Sequence, residues 1–488
     1  MNQQLKKTYV INPPGEKGFD RSGRWPAKAM GGTFIEPLFL AYAAAVLEKD
    51  NLLAGLIDCR PFYTTQEELF EKIGEDAALA VLQTSTPSID SDLETAKKIK
   101  NKFPRIKIAL VGSHVTVLDK EIMKNNEFVD FIARREYEYT IRELARCLNE
   151  ESCDFKDILG ITWRNSKEIV RNPNRPYIEN LDELPFPARH LLPMHTYFDP
   201  MFRSRKTFRL MGSRGCVYQC TFCLWPQTMY GRKVRFRNPK KVVDEIEYFI
   251  KNQGAKGFYF EDDTFTTNPR HVEGICNELM NRKIKISWSC LGRVDTMTEE
   301  MLIMMKRAGC YMIRVGIESS SQEILDRVKK GITIDQIVKA MKLMKKVGIK
   351  VHASYVLGLP GETKKSLEDD INFAIKVDHD YGQFGMAVPY PGTEMFKEAE
   401  EKGWLRTKNW KDYDAAENSV LEYPELSAKE IAMAALTAHL RFYFRPSYMI
   451  KKVFKVRSFS EFYQLVNGAK TLIIRLIKNK LPHIIREK

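Results

Sequence analysis

Short apolar runs alternate with amphipathic stretches along most of this chain. In the first 149 residues, runs at Tyr9–Asn12, Ala54–Asp58, Ala78–Gln83, Lys107–Gly112 and Phe128–Ile132 predict strands. Between them Pro37–Leu47, Thr65–Ile73, Leu93–Phe103, Asp119–Asn125 and Tyr139–Cys147 carry apolar residues at helical spacing. Strands alternating with helices predict a parallel sheet covered on both faces, a first domain over 1–149. Ligands of such sheets sit beyond the strand C-termini, which here are Pro13–Gly15, Thr84–Thr86, Gly112–His114 and Arg135–Glu136.

A connector over 150–206 follows. Ile158–Trp163 and Glu168–Arg171 read as a hairpin, and five prolines then predict an extended linker draped over the surface. His190 and His195 have no partner pattern. From 207 to 425 the alternation returns. Strands are predicted at Thr207–Met211, Gly257–Phe260, Ile284–Cys290, Met312–Ile317, Lys350–Val356 and Gln383–Ala387. Helices are predicted at Pro239–Asn252, Pro269–Arg282, Glu299–Ala308, Gln322–Arg327, Ile334–Lys346 and Lys365–Val377. Asn268 before Pro269 is an N-cap signal, and Gly348 a helix stop. Six units predict a partial (β/α)6 barrel, whose chemistry belongs at the C-terminal ends of its strands. Residues 426–488 read as a helical extension, with Ser427 opening a helix over Glu430–Phe444 and two more segments at Phe454–Leu465 and Ala469–Lys480.

At 488 residues, 44% hydrophobic and 29% charged, the chain has an ordinary globular composition. No signal peptide or run of eighteen apolar residues is visible. The net charge is +14, and Pro446–Lys488 alone holds ten Lys/Arg against two Asp/Glu. Such a tail can lie in a membrane interface or pack on the barrel with its lysines outward. Nucleic acid fits it less well, because its aromatics precede the basic cluster instead of interleaving with it. Six of the nine cysteines, including Cys147 and Cys153, show no disulfide spacing and read as isolated thiols of a reducing, cytoplasmic protein.

The other three are Cys216, Cys220 and Cys223, spaced C-x3-C-x2-C after Gly215. They suit one shared soft metal centre, and no second C-x2-C pair follows to make a zinc ribbon. A four-iron cluster takes four thiolates, so three leave one iron open to a small molecule. Zinc or coincidence remain the alternatives for a triplet read alone. The later strand ends are polar in succession: Glu261, Asp262 and Asp263; then Arg293; then Glu318 and Ser319; then Gly358 and Gly361 with Glu362. Consecutive acids at a buried strand end require a cation or a cap. Arg232, Lys233, Arg235 and Arg237 read either as a solvated loop or as a grip on the cluster or an anionic substrate.

The triplet, with Tyr218 and Phe222 interleaved, resembles the signature of the radical SAM superfamily. That resemblance implies a [4Fe-4S] cluster on Cys216, Cys220 and Cys223. S-adenosylmethionine would chelate the open iron and be cleaved reductively to an adenosyl radical. It further implies S-adenosylmethionine contacts at Phe222, at Glu261 and Asp262 (amino group), Arg293 (carboxylate), Glu318 and Ser319 (ribose), and Gly358 and Gly361 (adenine). The first domain resembles the Rossmann-like cobalamin-binding module of one subgroup, through its N-P-P opening, Thr84–Thr86 and VGSHVT. The implied cobalamin contacts are Pro13, Thr84, Ser85, Thr86, Gly112, Ser113, His114 and Glu136. The D-x-H-x-x-G motif is absent, so no histidine from it would hold cobalt; a protein-contacting domain without cofactor is the other reading. The finer resemblance is to the branch with anaerobic magnesium-protoporphyrin IX monomethyl ester cyclase and hopanoid lipid-modifying enzymes. It implies an electron donor such as flavodoxin or ferredoxin. It also implies hydrogen abstraction from a lipid or isoprenoid carbon, followed by cyclisation, C–C bond formation or methylation, with the tail peripheral on the cytoplasmic face of the membrane. The alternatives are a cobalamin-dependent radical methyltransferase acting on a soluble small molecule or peptide, and a non-catalytic metal-dependent binding protein.

Overall fold

Strands buried on both faces build the first sheet. In the computed structural model, which describes residues 6–16, 18–24, 27, 28, 33–75, 77–150, 152–199, 201–416 and 418–455, the strands are β1 (Lys7–Asn12), β2 (Leu53–Asp58), β3 (Ala77–Gln83), β4 (Lys107–Val111), β5 (Phe131–Ala133), β6 (Ile161–Asn165) and β7 (Glu168–Arg171). Their order is β2-β1-β3-β4-β5-β6-β7. The first five are parallel, and the hairpin β6–β7 adds antiparallel to the far edge. Val10, Leu79, Val81, Ala109 and Val111 face α1 (Leu38–Lys49) and α4 (Glu138–Cys147). Ile11, Ala80, Leu82, Ile108 and Leu110 face the opposite core with α2 (Gln66–Lys72) and α3 (Ile89–Lys102). The order reverses between β1 and β3, so the ligand crevice of this sheet lies beyond those two strands' C-termini.

Several expectations shift. Strand β5 begins later than Phe128, because Asp130 spends its carboxylate on the Ile108 N–H, Lys100 and Lys107. Helix α1 is buried from Leu38 to Leu47 without a break, not on one face. Its outer side is covered by the connector and by the barrel, with Phe39 packed 4.6 Å from the ring of Trp225. The connector is therefore not a surface drape. Ile178, Leu181, Leu184, Ala188, Leu192 and Tyr197 are buried in the core shared by the two sheets. Burying each such aliphatic side chain is worth about 1.5–3 kcal/mol. Cys147 and Cys153 are not isolated thiols either. They form a disulfide across a Cα separation of 5.2 Å, closing the turn after α4.

The second sheet is parallel throughout and in sequential order: β8 (Thr207–Leu210), β9 (Gly257–Phe260), β10 (Ser287–Gly292), β11 (Cys310–Glu318), β12 (Lys350–Leu357) and β13 (Tyr381–Met386). β8 and β13 do not pair with each other, so the array is open. One face carries Phe208, Phe258, Trp288, Ile313, Ala353 and Phe384, sealed under the helices. The other carries Arg209, Tyr259, Ser289, Arg314, His352 and Gln383. Its lower part is filled by the connector. Asp199 pairs with Arg314 at 2.8 Å, and Phe202 packs 5.5 Å from the ring of Tyr259. The predicted caps form: Asn268 accepts from Arg270 and His271, and Gly348 adopts φ 76°.

The helix after the barrel runs over Ala428–Tyr443, opened by a Ser427–Glu430 capping box. The Tyr443 hydroxyl accepts from the Gly382 N–H at 3.1 Å and donates to its carbonyl at 2.8 Å, covering the edge strand β13. A further helix starts at Pro446 and spans Pro446–Lys455. The segment predicted over Ala469–Lys480, and most of Phe454–Leu465, lie outside the described residues. No helix among the described residues is long and apolar enough to cross a membrane.

Candidate active site

Strand β8 delivers the cysteine loop, and its return is pinned. Ser213–Arg214 pairs antiparallel with Arg235–Phe236. Gly215 holds φ 94°, and a Cβ there would meet the Lys233 carbonyl at 2.2 Å, so the returning backbone requires the glycine. Cys216 and Cys220 are buried, Cys223 is half-buried, and all three are free. The Gln227 amide donates to the carbonyls of Cys223 (2.8 Å) and Thr221 (3.1 Å), fixing the turn. Burial raises the Cys223 thiol, and neighbouring Cys220 and Asp263 raise it further; burial and Asp263 also raise Cys216. Metal binding would displace the thiol protons.

No group of three His, Cys, Asp or Glu among the described residues forms a ready single-ion cage. A cluster does not require one, because each thiolate binds a different iron. The donor set, three free cysteines on one pinned loop, fits a [4Fe-4S] cluster.

The three acids after β9 are engaged by protein. Glu261 takes Arg209 at 2.7 Å and 3.0 Å. Asp262 accepts from the Gly212 N–H (3.0 Å) and the Ser213 hydroxyl (2.5 Å), and burial lifts its pKa to about 6. Neither carboxylate is left for a methionine amino group, contrary to expectation. Asp263 bridges: one oxygen accepts from the Gly215 N–H at 2.8 Å, and the other from Arg24 at 2.5 Å.

At the next strand ends, Arg293 lies 3.4 Å from the Tyr218 ring centroid and pairs with Asp295 at 2.9 Å. Glu318 adopts φ 69° and meets Lys330 at 2.5 Å, both side chains nearly fully buried. Arg293 stacks on Tyr218 of the cysteine loop, and the Thr221 N–H donates to the Val328 carbonyl two residues before Lys330, so these cations flank that loop. Three expected contacts turn elsewhere. Ser319 is buried and donates to Asp370 at 3.1 Å. Gly358 is needed for Ile431, whose side chain lies 2.8 Å from where its Cβ would be. Gly361 faces Arg327 and Ile324 in the same way. Glu362 braces its own loop by accepting from the Gly358 and Leu359 N–H groups. Phe222 is half-buried against the barrel core. The basic run after the loop divides: Arg235 and Arg237 are buried on Glu136 (2.7 Å) and Glu245 (2.5 Å), while Lys233 is exposed on Glu179. Arg24, Arg209 and Lys330 carry much of the site's charge and were not singled out from the sequence. Arg24 lies in the basic loop GFDRSGR; nothing local marks Lys330.

A cleft opens at the β1/β3 switch point, lined by Arg21, Arg24, Gln83, Thr84, Ser85, Gly112, Ser113 and Glu136 of the first domain. Its opposite wall is Trp225, Met229 and Tyr230, the residues that follow Cys223. Gln83 Oε1 and Glu138 Oε2 are buried there with no protein partner. Pro13, Thr86 and His114 do not line it. His114 is buried beneath, 3.2 Å from the Thr86 hydroxyl and edge-on to Trp410, and burial drops its pKa to about 3. Gly112 (φ 129°) is required by the Thr84 carbonyl, 2.3 Å from its would-be Cβ.

Comparison with known proteins places the family and the fold. The family profile described as the radical SAM superfamily matches residues 210–374. An uncharacterized methyltransferase of Pyrococcus horikoshii is 32% identical over 460 residues, covering 93% of this chain and 96% of that protein. The anaerobic magnesium-protoporphyrin IX monomethyl ester cyclase of Cereibacter sphaeroides is 27% identical, covering 88% of this chain and 68% of that protein. Among solved structures, the cobalamin-dependent S-adenosylmethionine radical enzyme OxsB, with aqua-cobalamin and S-adenosylmethionine bound, shares the fold. Its TM-score is 0.71 at 18% identity, over 98% of this chain and 72% of that one. This chain is a radical SAM enzyme, of the subgroup in which a B12-binding-type domain precedes the radical SAM domain.

Proposed function

We propose that the chain is a cobalamin-dependent radical methyltransferase acting on a small polar molecule. One observation carries this reading. The short helix Leu224–Thr228 starts immediately after Cys223 and, with Met229 and Tyr230, forms a wall of the cleft in the first sheet. A cofactor in that cleft and a cluster on the cysteine loop would therefore share one wall. The unpartnered Gln83 Oε1 and Glu138 Oε2 suit a corrin, whose rim carries amide donors. Bound cobalamin would supply a transferable methyl group, and the cluster one electron to cleave S-adenosylmethionine.

The chain's own residues prepare both steps. Cys216, Cys220 and Cys223 would hold iron. Lys330 and Arg293 place positive charge beside Cys220, where a carboxylate of S-adenosylmethionine can be met once either cation turns from its present partner. Glu318 offers acceptor oxygens at the end of β11. Lys330 stays protonated: burial opposes its charge, but Glu318 and Cys220 outweigh burial. No histidine lines the cleft, and the Nδ1 of His114 is taken by the Thr86 hydroxyl, so the cleft itself would offer cobalt no imidazole.

The inner barrel face favours a polar substrate over a lipid. Gly316, Ser354 and Gln383 stand side by side on β11, β12 and β13 and are half-buried or exposed, while the outward positions beside them are buried. Gly385 above them leaves open space. A chamber for an acyl chain would carry apolar side chains there. The tail that suggested a membrane lies largely outside the described residues.

The test incubates the full chain anaerobically with cobalamin, a reductant, S-adenosylmethionine bearing a deuterated methyl group, and cell extract. Label in a water-soluble metabolite supports the reading. Label in the lipid fraction, or deoxyadenosine without any labelled product, contradicts it.

A further inference from the structure

We propose that Arg24 is a positioning residue for the cluster, reaching from the first domain to fix the loop that presents the three thiolates. This rests on the superfamily assignment alone and is independent of whether the cleft holds cobalamin.

Arg24 belongs to the loop after β1, yet its guanidinium is buried at the mouth of the barrel, 5% exposed. A buried cation persists only when its donors are matched. Here Nε (3.1 Å) and Nη2 (2.7 Å) fork onto the Glu261 carbonyl at the end of β9, and Nη1 donates to Asp263 at 2.5 Å. The plane lies 5.3 Å from the Trp225 ring, whose indole N–H donates to the Arg24 carbonyl at 2.9 Å. Trp225 is two residues beyond Cys223, so Arg24 touches the loop's far side directly.

The second oxygen of Asp263 holds the Gly215 N–H, one residue before Cys216. Thr264, next in sequence, puts its hydroxyl 3.8 Å from the Cys216 sulfur. The two oxygens of one carboxylate thus tie the first domain's loop to the first cysteine, while the indole ties it to the third. Without Arg24, Asp263 would be a buried carboxylate lacking its counter-ion, free to turn from Gly215. Charges and hydrogen bonds near the sulfurs set the potential of an iron–sulfur centre.

Simple domain docking by Arg24 predicts something different, namely lost stability with an unchanged cluster. The test uses the full chain, reconstituted anaerobically with iron and sulfide, in wild-type, Arg24→Met, Arg24→Lys and Asp263→Asn forms. The readouts are iron content, the reduction midpoint by EPR-monitored titration, and the change in the reduced cluster's EPR signal on adding S-adenosylmethionine. Arg24→Met should retain iron, shift the midpoint to more negative potential, and lower deoxyadenosine formation by about tenfold. Asp263→Asn should shift the midpoint the opposite way and also weaken the S-adenosylmethionine-induced EPR change. Arg24→Lys should recover part of the loss, keeping the cation without the fork. An unchanged midpoint and EPR response in Arg24→Met overturns the proposal, even if its melting temperature falls. Should Arg24→Met fail to fold, an unchanged midpoint in Asp263→Asn overturns it equally.

Discussion

The two parallel sheets present their strand ends differently. At the barrel mouth nearly every charge is already matched: Arg24 with Asp263, Arg209 with Glu261, Lys330 with Glu318, Arg293 with Asp295. At the cleft of the first sheet the charges are matched too, Glu138 with Arg214 and Glu136 with Arg235, but Gln83 Oε1 and Glu138 Oε2 stay buried without a hydrogen-bond partner. A site that must stabilise charge in a dry cavity gains from dipoles fixed in advance. A site that encloses a large amide-rimmed cofactor instead leaves acceptors open for it. On the proposed function, the contrast separates a preorganised reaction site from a receptacle.

Cys220→Ser should have the largest effect on the barrel side. One iron loses its thiolate, and deoxyadenosine formation should fall to background while circular dichroism stays native. Full activity in that variant would sink the cluster assignment. Next comes Lys330→Met, which strands Glu318 as an unpaired buried carboxylate. Breaking such a pair costs about 3–5 kcal/mol, read as a lower denaturation midpoint, together with weaker S-adenosylmethionine binding by calorimetry. A neutral result would mean that the pair is dispensable at the mouth.

Glu362→Gln should have the smallest effect, and it is pH-dependent. Burial first, and then Asp370, raise the Glu362 carboxyl well above its usual range. The fold therefore favours its protonated form. That contribution is complete below the ordinary carboxylate range and is lost as pH rises through the raised value. Glutamine cannot ionise, so the variant should lose less stability than wild type between about pH 5 and pH 8. Equal slopes in denaturant unfolding across that window would contradict the shared burial of Glu362 and Asp370.

Much of this architecture was legible from periodicity. The alternation of apolar runs and helices predicted both sheets, because parallel strands buried on two faces leave a continuous apolar signature. The cysteine spacing marked the cluster loop for the same kind of reason, since its donors are adjacent in sequence. What the sequence concealed is long-range. Arg24 meets Asp263 across 239 positions, and no local pattern records that. Asp262 and Ser319 sit at strand ends like ligand residues, but their partners lie elsewhere in the chain: Gly212 and Ser213 after β8, and Asp370 on the helix Lys364–Val377. The Gly358 motif read as an adenine cradle because a glycine shows only that something comes close. Here that something is Ile431, on a helix packed against the edge of the barrel. The connector's prolines signalled extension correctly and exposure wrongly, since its apolar residues fill the space between the sheets.

The most direct measurement is EPR of the full chain loaded with cob(II)alamin. Stoichiometric retention of the corrin is expected, with a spectrum free of nitrogen splitting from an axial imidazole, because no histidine lines the cleft. Failure to retain cobalamin, or a histidine-ligated signal, would contradict the proposed role of the first domain.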